Sequence, residues 1–176
     1  MELYSVIVGG VLAMTGGALA QWLTHVFNAR RERHKLLREK AEAICEQLEE
    51  LIRWITERRV KALSLADDEE TLPPFGRLIA LQMLYFKEAN DEVQNFGFKA
   101  TAVLEAISPA HTALAIADLA VKELLAKGMD AGSAKDTFST LRNEHWTRIS
   151  GLMNEFVTAS QLVSRKIGTL VEEKNK

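Results

Sequence analysis

Apolar and polar positions divide the chain into two regimes. From Leu3 to Phe27 twenty-five residues carry no charged side chain when His25 is neutral. As a helix rising about 1.5 Å per residue they span roughly 37 Å, enough to cross a hydrocarbon layer of about 30 Å with some tilt. Beyond this stretch charged residues are frequent and apolar ones recur at helical spacing. Leu37, Ala41, Ile44, Leu48, Leu51 and Ile55 follow a 4-3-4-3-4 pattern, with no Gly or Pro between Asn28 and Ala66. That is a heptad seam on an unbroken helix. Extended backwards, the same register passes through His34, Arg30, Phe27, Leu23, Ala20, Gly16, Ala13 and Gly9. One face of one long helix can therefore carry both membrane and cytoplasmic contacts, provided that it supercoils or changes partner near Arg30.

The remaining pattern is helical as well. "DDEETLPPFG", Asp67 to Gly76, predicts a solvated loop, and Arg77 to about Phe96 predicts a helix ended by Gly97. A further helix starts at Phe98 and meets Ser108-Pro109, where Ser can cap and Pro can open a new helix that stops at Gly128. Ser133 can cap a last helix with the apolar stripe Phe138, Leu141, Ile149, Leu152, Phe156, Ala159, Val163, Ile167 and Leu170. Sustained alternation is lacking, so the expected fold is all-α. One N-terminal transmembrane helix (residues 1–29) continues into a long cytoplasmic helix, packed with three or four others in a bundle (residues 30–176).

Charge fixes the expected orientation. The net charge of −2 hides a basic collar, because Arg30 to Lys40 holds six bases and two acids, whereas residues 41–176 hold sixteen bases and twenty-one acids. With Tyr4 and Trp22 at the two interfaces and Arg30, Arg31, Arg33 and Lys35 immediately after the span, the positive-inside rule places the N-terminus outside and the bundle in the cytoplasm. The rival reading is a secretory signal cleaved after Ala18-Leu19-Ala20. It suffers at both flanks, since "MELYS" holds an acid and no base, and the basic collar would have to be translocated. A buried soluble helix is the third reading, although such a helix rarely needs so long an uncharged run. Arg30, Arg31, Arg33, Lys35, Arg38 and Lys40 suit anionic lipid headgroups, worth about 1 kcal/mol each near the surface. The acidic remainder argues against nucleic acid as a partner.

Within the span, Gly9, Ala13, Gly16, Ala20 and Thr24 fall within about 80° of one another, with Val8, Leu12, Leu19, Leu23 and Val26 about a quarter-turn away. Gly9 to Ala13 and Gly16 to Ala20 are small-xxx-small spacings, through which membrane helices approach closely, so this is a candidate self-association face. Glycine and alanine are also simply common in such helices. Gln21, His25 and Asn28 form a polar stripe beside it. They can line a wet pore in an oligomer, or belong to the inner interfacial zone where polar side chains are ordinary.

Catalytic signatures are few. Cys45 is the single cysteine, which excludes an intramolecular disulfide and fits a reducing compartment. The four histidines form no H-x-x-x-H pair, Glu-x-x-His is missing at His111 and His145, and the phosphate-binding glycine motifs do not occur. No metal or cofactor is therefore expected. Helically spaced acids such as Glu42, Glu46 and Glu49 read as a solvated face.

Arg142-Asn143-Glu144-His145 resembles the active-site motif of the helical ribonuclease family HEPN, in which an Arg and a polar residue precede a His by four to six residues at a dimer interface. Here two residues intervene, yet Arg142 and His145 still share one helical face. The resemblance implies a membrane-tethered ribonuclease with these two residues as its candidates; a His hydrogen-bonded at a helix contact is the alternative. A small single-pass protein with a cytoplasmic bundle and a motif of this form is also similar to membrane accessory proteins of RNA-targeting CRISPR systems. That similarity implies an oligomeric pore used in phage defence. The expectation is then a bacterial-type protein of the inner membrane that self-associates through its membrane helix and heptad seam and serves as a non-enzymatic scaffold or channel-like effector. Membrane lipid, other copies of the chain and a cytoplasmic protein are its expected partners.

Overall fold

A computed structural model describes residues 2–66 and 72–174, with side chains from Gly16 onward. Four α-helices and one short turn make up the described residues: α1 (Glu2–Ser64), α2 (Phe75–Tyr85), a 3-10 turn (Lys87–Ala89), α3 (Asn90–Ala126) and α4 (Gly132–Glu173). No strand occurs among them.

The expected seam is the inner face of α1. Leu37, Ile44, Leu48, Leu51 and Ile55 are all buried, and Ala41 packs at their edge. What covers them is the chain itself, because α2, α3 and α4 all pack on α1. The seam expected to join copies of the chain is instead covered within the protomer from Leu37 to Ile55, so that part of it is not free for self-association.

Cross-helix contacts fix the directions. Arg59 lies over the Trp146 ring at 4.6 Å and the Cys45 thiol faces the Ser164 hydroxyl at 3.9 Å, so α4 runs antiparallel to α1. Lys99 pairs with Glu155 at 2.7 Å and Lys166 with Glu92 at 3.9 Å, so α3 is antiparallel to α4 and parallel to α1. Between these pairs Phe96 stacks on Phe156 with centroids 4.7 Å apart, and both rings are fully buried. The stripe expected on α4 is buried from Ile149 to Leu170, with Leu152 half-buried and Phe138 and Leu141 at its margin. Beyond Leu114 on α3 and before Ile149 on α4 only Ala131 is buried among the described residues, so the α3–α4 hairpin projects past the end of α1.

Three expected boundaries move, each for a local reason. The break between the second and third helices falls at Phe86, not at Gly97. Phe86 has φ −137° and ψ 54° and buries its ring completely, while Gln82 Nε2 donates to its carbonyl at 3.2 Å. Gly97 continues inside α3 because its neighbours Val93, Phe96 and Ala100 hold the helix on the core. Pro109 does not split α3 either: the ring is exposed, while Ala106, Ile107 and Ala110 anchor the opposite side. Solvent can satisfy the carbonyl that a proline leaves unpaired. At the start of α4, Ala131 occupies the cap position in place of Ser133, and Asp130 Oδ1 accepts the Gly132 N–H at 2.8 Å. Gly128 does stop α3 as expected; its φ of +69° is the left-handed conformation, and Met129 N–H returns to the Leu124 carbonyl at 3.0 Å.

Among the described residues, one stretch is long and apolar enough to cross a membrane, Lys87–Ala126, which contains α3. Its pairing with α4 decides where it belongs. The two helices share the stacked rings and the Lys99–Glu155 and Glu92–Lys166 pairs, and α4 also carries Lys135, Asp136, Arg142, Glu144 and Arg148. A bilayer would have to accept all of these with α3, so α3 stays with α4 in the bundle, although Phe98, Ile116 and Leu119 remain exposed on it.

Candidate functional site: the exposed half of α1 and the basic groove

Helix α1 runs without interruption from the N-terminal segment into the bundle. From Gly16 to Arg33 its side chains are exposed, with Val26 half-exposed. Leu19, Trp22 and Phe27 are each more than half exposed, and Leu23 is 41% exposed. Large apolar side chains therefore stand clear of the protomer along one side of this part of the helix, and the protomer does not bury residues 16–27.

On the small face, Gly16 and Ala20 are both exposed, and a Cβ placed on Gly16 would meet no heavy atom within 4 Å. Thr24 turns its hydroxyl inward and donates to the Ala20 carbonyl at 2.8 Å, which satisfies it without a partner. Gly9 and Ala13 lie outside the residues whose side chains are described. The polar stripe holds together: Gln21, His25 and Asn28 border one shallow recess of about 600 Å³ with Ala18, Trp22 and Thr24.

The basic collar divides into three. Arg30, Arg31 and Arg33 line a groove of about 740 Å³ with Phe27, Asn28, His34 and Lys174. Lys35 and Arg38 turn instead to a groove of about 940 Å³ between α1 and α4, whose walls carry Glu42, Glu46, Glu49 and Glu172. Lys40 sits over the Tyr85 ring, 5.7 Å from its centroid. The groove of the first three is lined without an acid, whereas that of Lys35 and Arg38 is not.

Lys174 is the residue that sequence reasoning missed. It follows α4, donates to the Tyr85 carbonyl at 3.2 Å, pairs with Glu88 at 3.2 Å and lies 5.8 Å from the Phe86 ring centroid. A lysine near a chain terminus carries no pattern that could have revealed this. Its contacts tie the ends of α2 and α4 to the groove beside Arg30. A hydrogen bond from its own backbone N–H and then one from Lys174 hold the Glu88 carboxyl below the ordinary value of 4.5.

Arg142 and His145 occupy one side of α4 but not one cavity. Arg142 is exposed and borders a groove of about 390 Å³ with Asn143, Trp146 and the end of α1, where His145 does not take part. His145 is half-buried one turn along. Among the described residues no group of three or more His, Cys, Asp or Glu side chains is placed to hold a metal ion. Comparison with known proteins finds no matching family model, no similar curated protein and no similar solved structure.

Proposed function

We propose that this chain is a single-pass membrane protein with its N-terminus outside and its helical bundle in the cytoplasm, assembling with other copies through its membrane helix. It acts as a non-enzymatic scaffold or channel-like effector of a bacterial inner membrane. The observation that carries the reading is the uncovered apolar surface of Leu19, Trp22, Leu23 and Phe27, which water does not tolerate on a free helix and a bilayer accepts. Arg30, Arg31 and Arg33 follow at the depth where anionic headgroups lie.

Assembly rests on the small face. With the seam from Leu37 to Ile55 closed inside the protomer, the contacts of that register left unspent are those of residues before Leu37, and Gly16 and Ala20 face outward among them. In such an oligomer the Gln21, His25 and Asn28 stripe lies beside the contact and lines whatever opening the copies enclose.

The test is the mass of the full-length protein in detergent by light scattering, followed by conductance in planar bilayers. A discrete oligomer, with a conductance that Gln21→Leu reduces, is the expected result. A monomer at every protein-to-detergent ratio refutes assembly. An oligomer without conductance retains the scaffold and removes the channel.

A further inference from the structure

The polar stripe of α1 does not end at Asn28. At about 100° per residue Gln21, His25 and Asn28 fall within about 60° of one another around the helix, and Glu32, four residues beyond Asn28, lies inside the same arc. All four side chains are exposed and α1 is unbroken through them, so the arc passes out of the uncharged run without changing direction. Among the described residues Glu32 is the first charged side chain on that side of the helix.

The bases of the collar point elsewhere. Arg31 and Arg33 each stand about 100° from Glu32 around the helix, and Arg30 about 160°. All three line the groove that reaches Lys174, which shares only Asn28 with the recess of Gln21 and His25. Lys35 lies at the margin of the arc but turns onward to Glu39, at 3.8 Å, where the two charges offset each other. Glu32 is thus the uncompensated charge at the end of the stripe.

The bundle stands on the far side of α1. Leu37, Ile44, Leu48, Leu51 and Ile55, buried where the other helices pack, are centred about 130° from Glu32 around the helix. When copies turn their stripes toward a common axis, their bundles therefore stay outside, and Glu32 faces that axis one turn beyond Asn28, at the cytoplasmic mouth.

We propose that Glu32 determines what the opening passes: one carboxylate from each copy forms a ring at the inner mouth that admits small inorganic cations in preference to anions. This rests on the channel reading, whose failure the experiment separates. Such a ring concentrates counter-ions and repels anions, with a reach of about 10 Å in about 0.1 M salt. Each copy supplies a single charge, and closure of the ring brings those charges together.

The full-length protein is inserted in planar bilayers of phosphatidylcholine, whose headgroups carry no net charge, under a roughly tenfold KCl gradient, and the zero-current potential gives the K+ to Cl− permeability ratio. Expected is a ratio of about 5 or more for wild type and for Glu32→Asp, about 1 to 2 for Glu32→Gln, and below about 1 for Glu32→Lys. Asp136→Asn removes an exposed carboxylate from the projecting hairpin and should leave the ratio as it is. A conducting wild type with a ratio near or below 1 overturns the proposal and leaves the channel standing. A cation preference that survives both Glu32→Gln and Glu32→Lys overturns the role of Glu32. No conductance from the wild-type protein removes the channel, and the proposal falls with it. Light-scattering mass and circular dichroism of each variant, equal to wild type, show that the ratios compare the same assembly.

Discussion

Gly16→Leu separates contacts within the protomer from contacts between protomers. Among the described residues nothing lies within 4 Å of a Cβ at this position, so the new side chain meets no obstacle from them. Within the helix, replacing glycine is favourable by up to roughly 0.5–1 kcal/mol. Between helices the sign reverses. Two small faces in contact share on the order of 20 atom pairs per turn, each worth about 0.1–0.2 kcal/mol, and even a gap of 0.5–1 Å forfeits a quarter to a half of that. A leucine opens a wider gap, so the loss is roughly 1–2 kcal/mol per interface, or about 5- to 30-fold in its dissociation constant. In a closed ring every copy suffers the same loss, and the penalties compound. The assay is light-scattering mass across a series of protein-to-detergent ratios, read in multiples of the 19.7 kDa protomer. Wild type is expected to keep its oligomer on dilution where the variant falls apart, with equal melting of the bundle in both. An unchanged mass series for Gly16→Leu would refute the small-face contact, because the described residues offer no contact within the chain to offset its loss.

Other substitutions probe the bundle and the competing chemistry. Phe156→Ala removes a fully buried ring stacked on Phe96 and is expected to cost about 3–5 kcal/mol of stability by chemical denaturation. A loss below about 1 kcal/mol would mean that the two rings are not the centre of the core. For Glu88 the folded-state pKa lies below its unfolded value, so its contribution is present above about pH 4.5 and is lost as pH falls through the folded value. Glu88→Gln should therefore melt slightly below wild type at pH 7, and the two curves should converge in acid; a difference that grows in acid contradicts the assigned direction. His145→Ala is expected to leave oligomer mass and conductance unchanged, and loss of a ribonuclease activity measured on single-stranded RNA would support the HEPN-like reading instead.

The helical class and the inner face of α1 were legible because periodicity reports which residues share a face. Leu37, Ile44, Leu48, Leu51 and Ile55 sit where spacing put them. Periodicity does not say who covers that face, and here α2, α3 and α4 do. The break at Phe86 was hidden for a related reason: an aromatic side chain continues a helical pattern in sequence, and only burial of its ring turns the backbone out of the helix. Gly97 and Pro109 misled in the other direction, since packing of Phe96, Ala106 and Ala110 overrides local preference. At the candidate site the polar stripe was readable from one helix alone. The groove that joins Arg30, Arg31 and Arg33 to Lys174 brings together positions about 140 residues apart, and no local pattern encodes it.

The unbroken backbone of α1 makes it a lever arm. From Arg30 to Ser64 it extends about 52 Å with no glycine or proline to act as a joint. A 10° swing of its N-terminal portion would carry the far end through about 9 Å, provided that the helix stays straight. Whatever moves one end of this rod is felt at the other as displacement, and the helices packed along it are carried with the stroke.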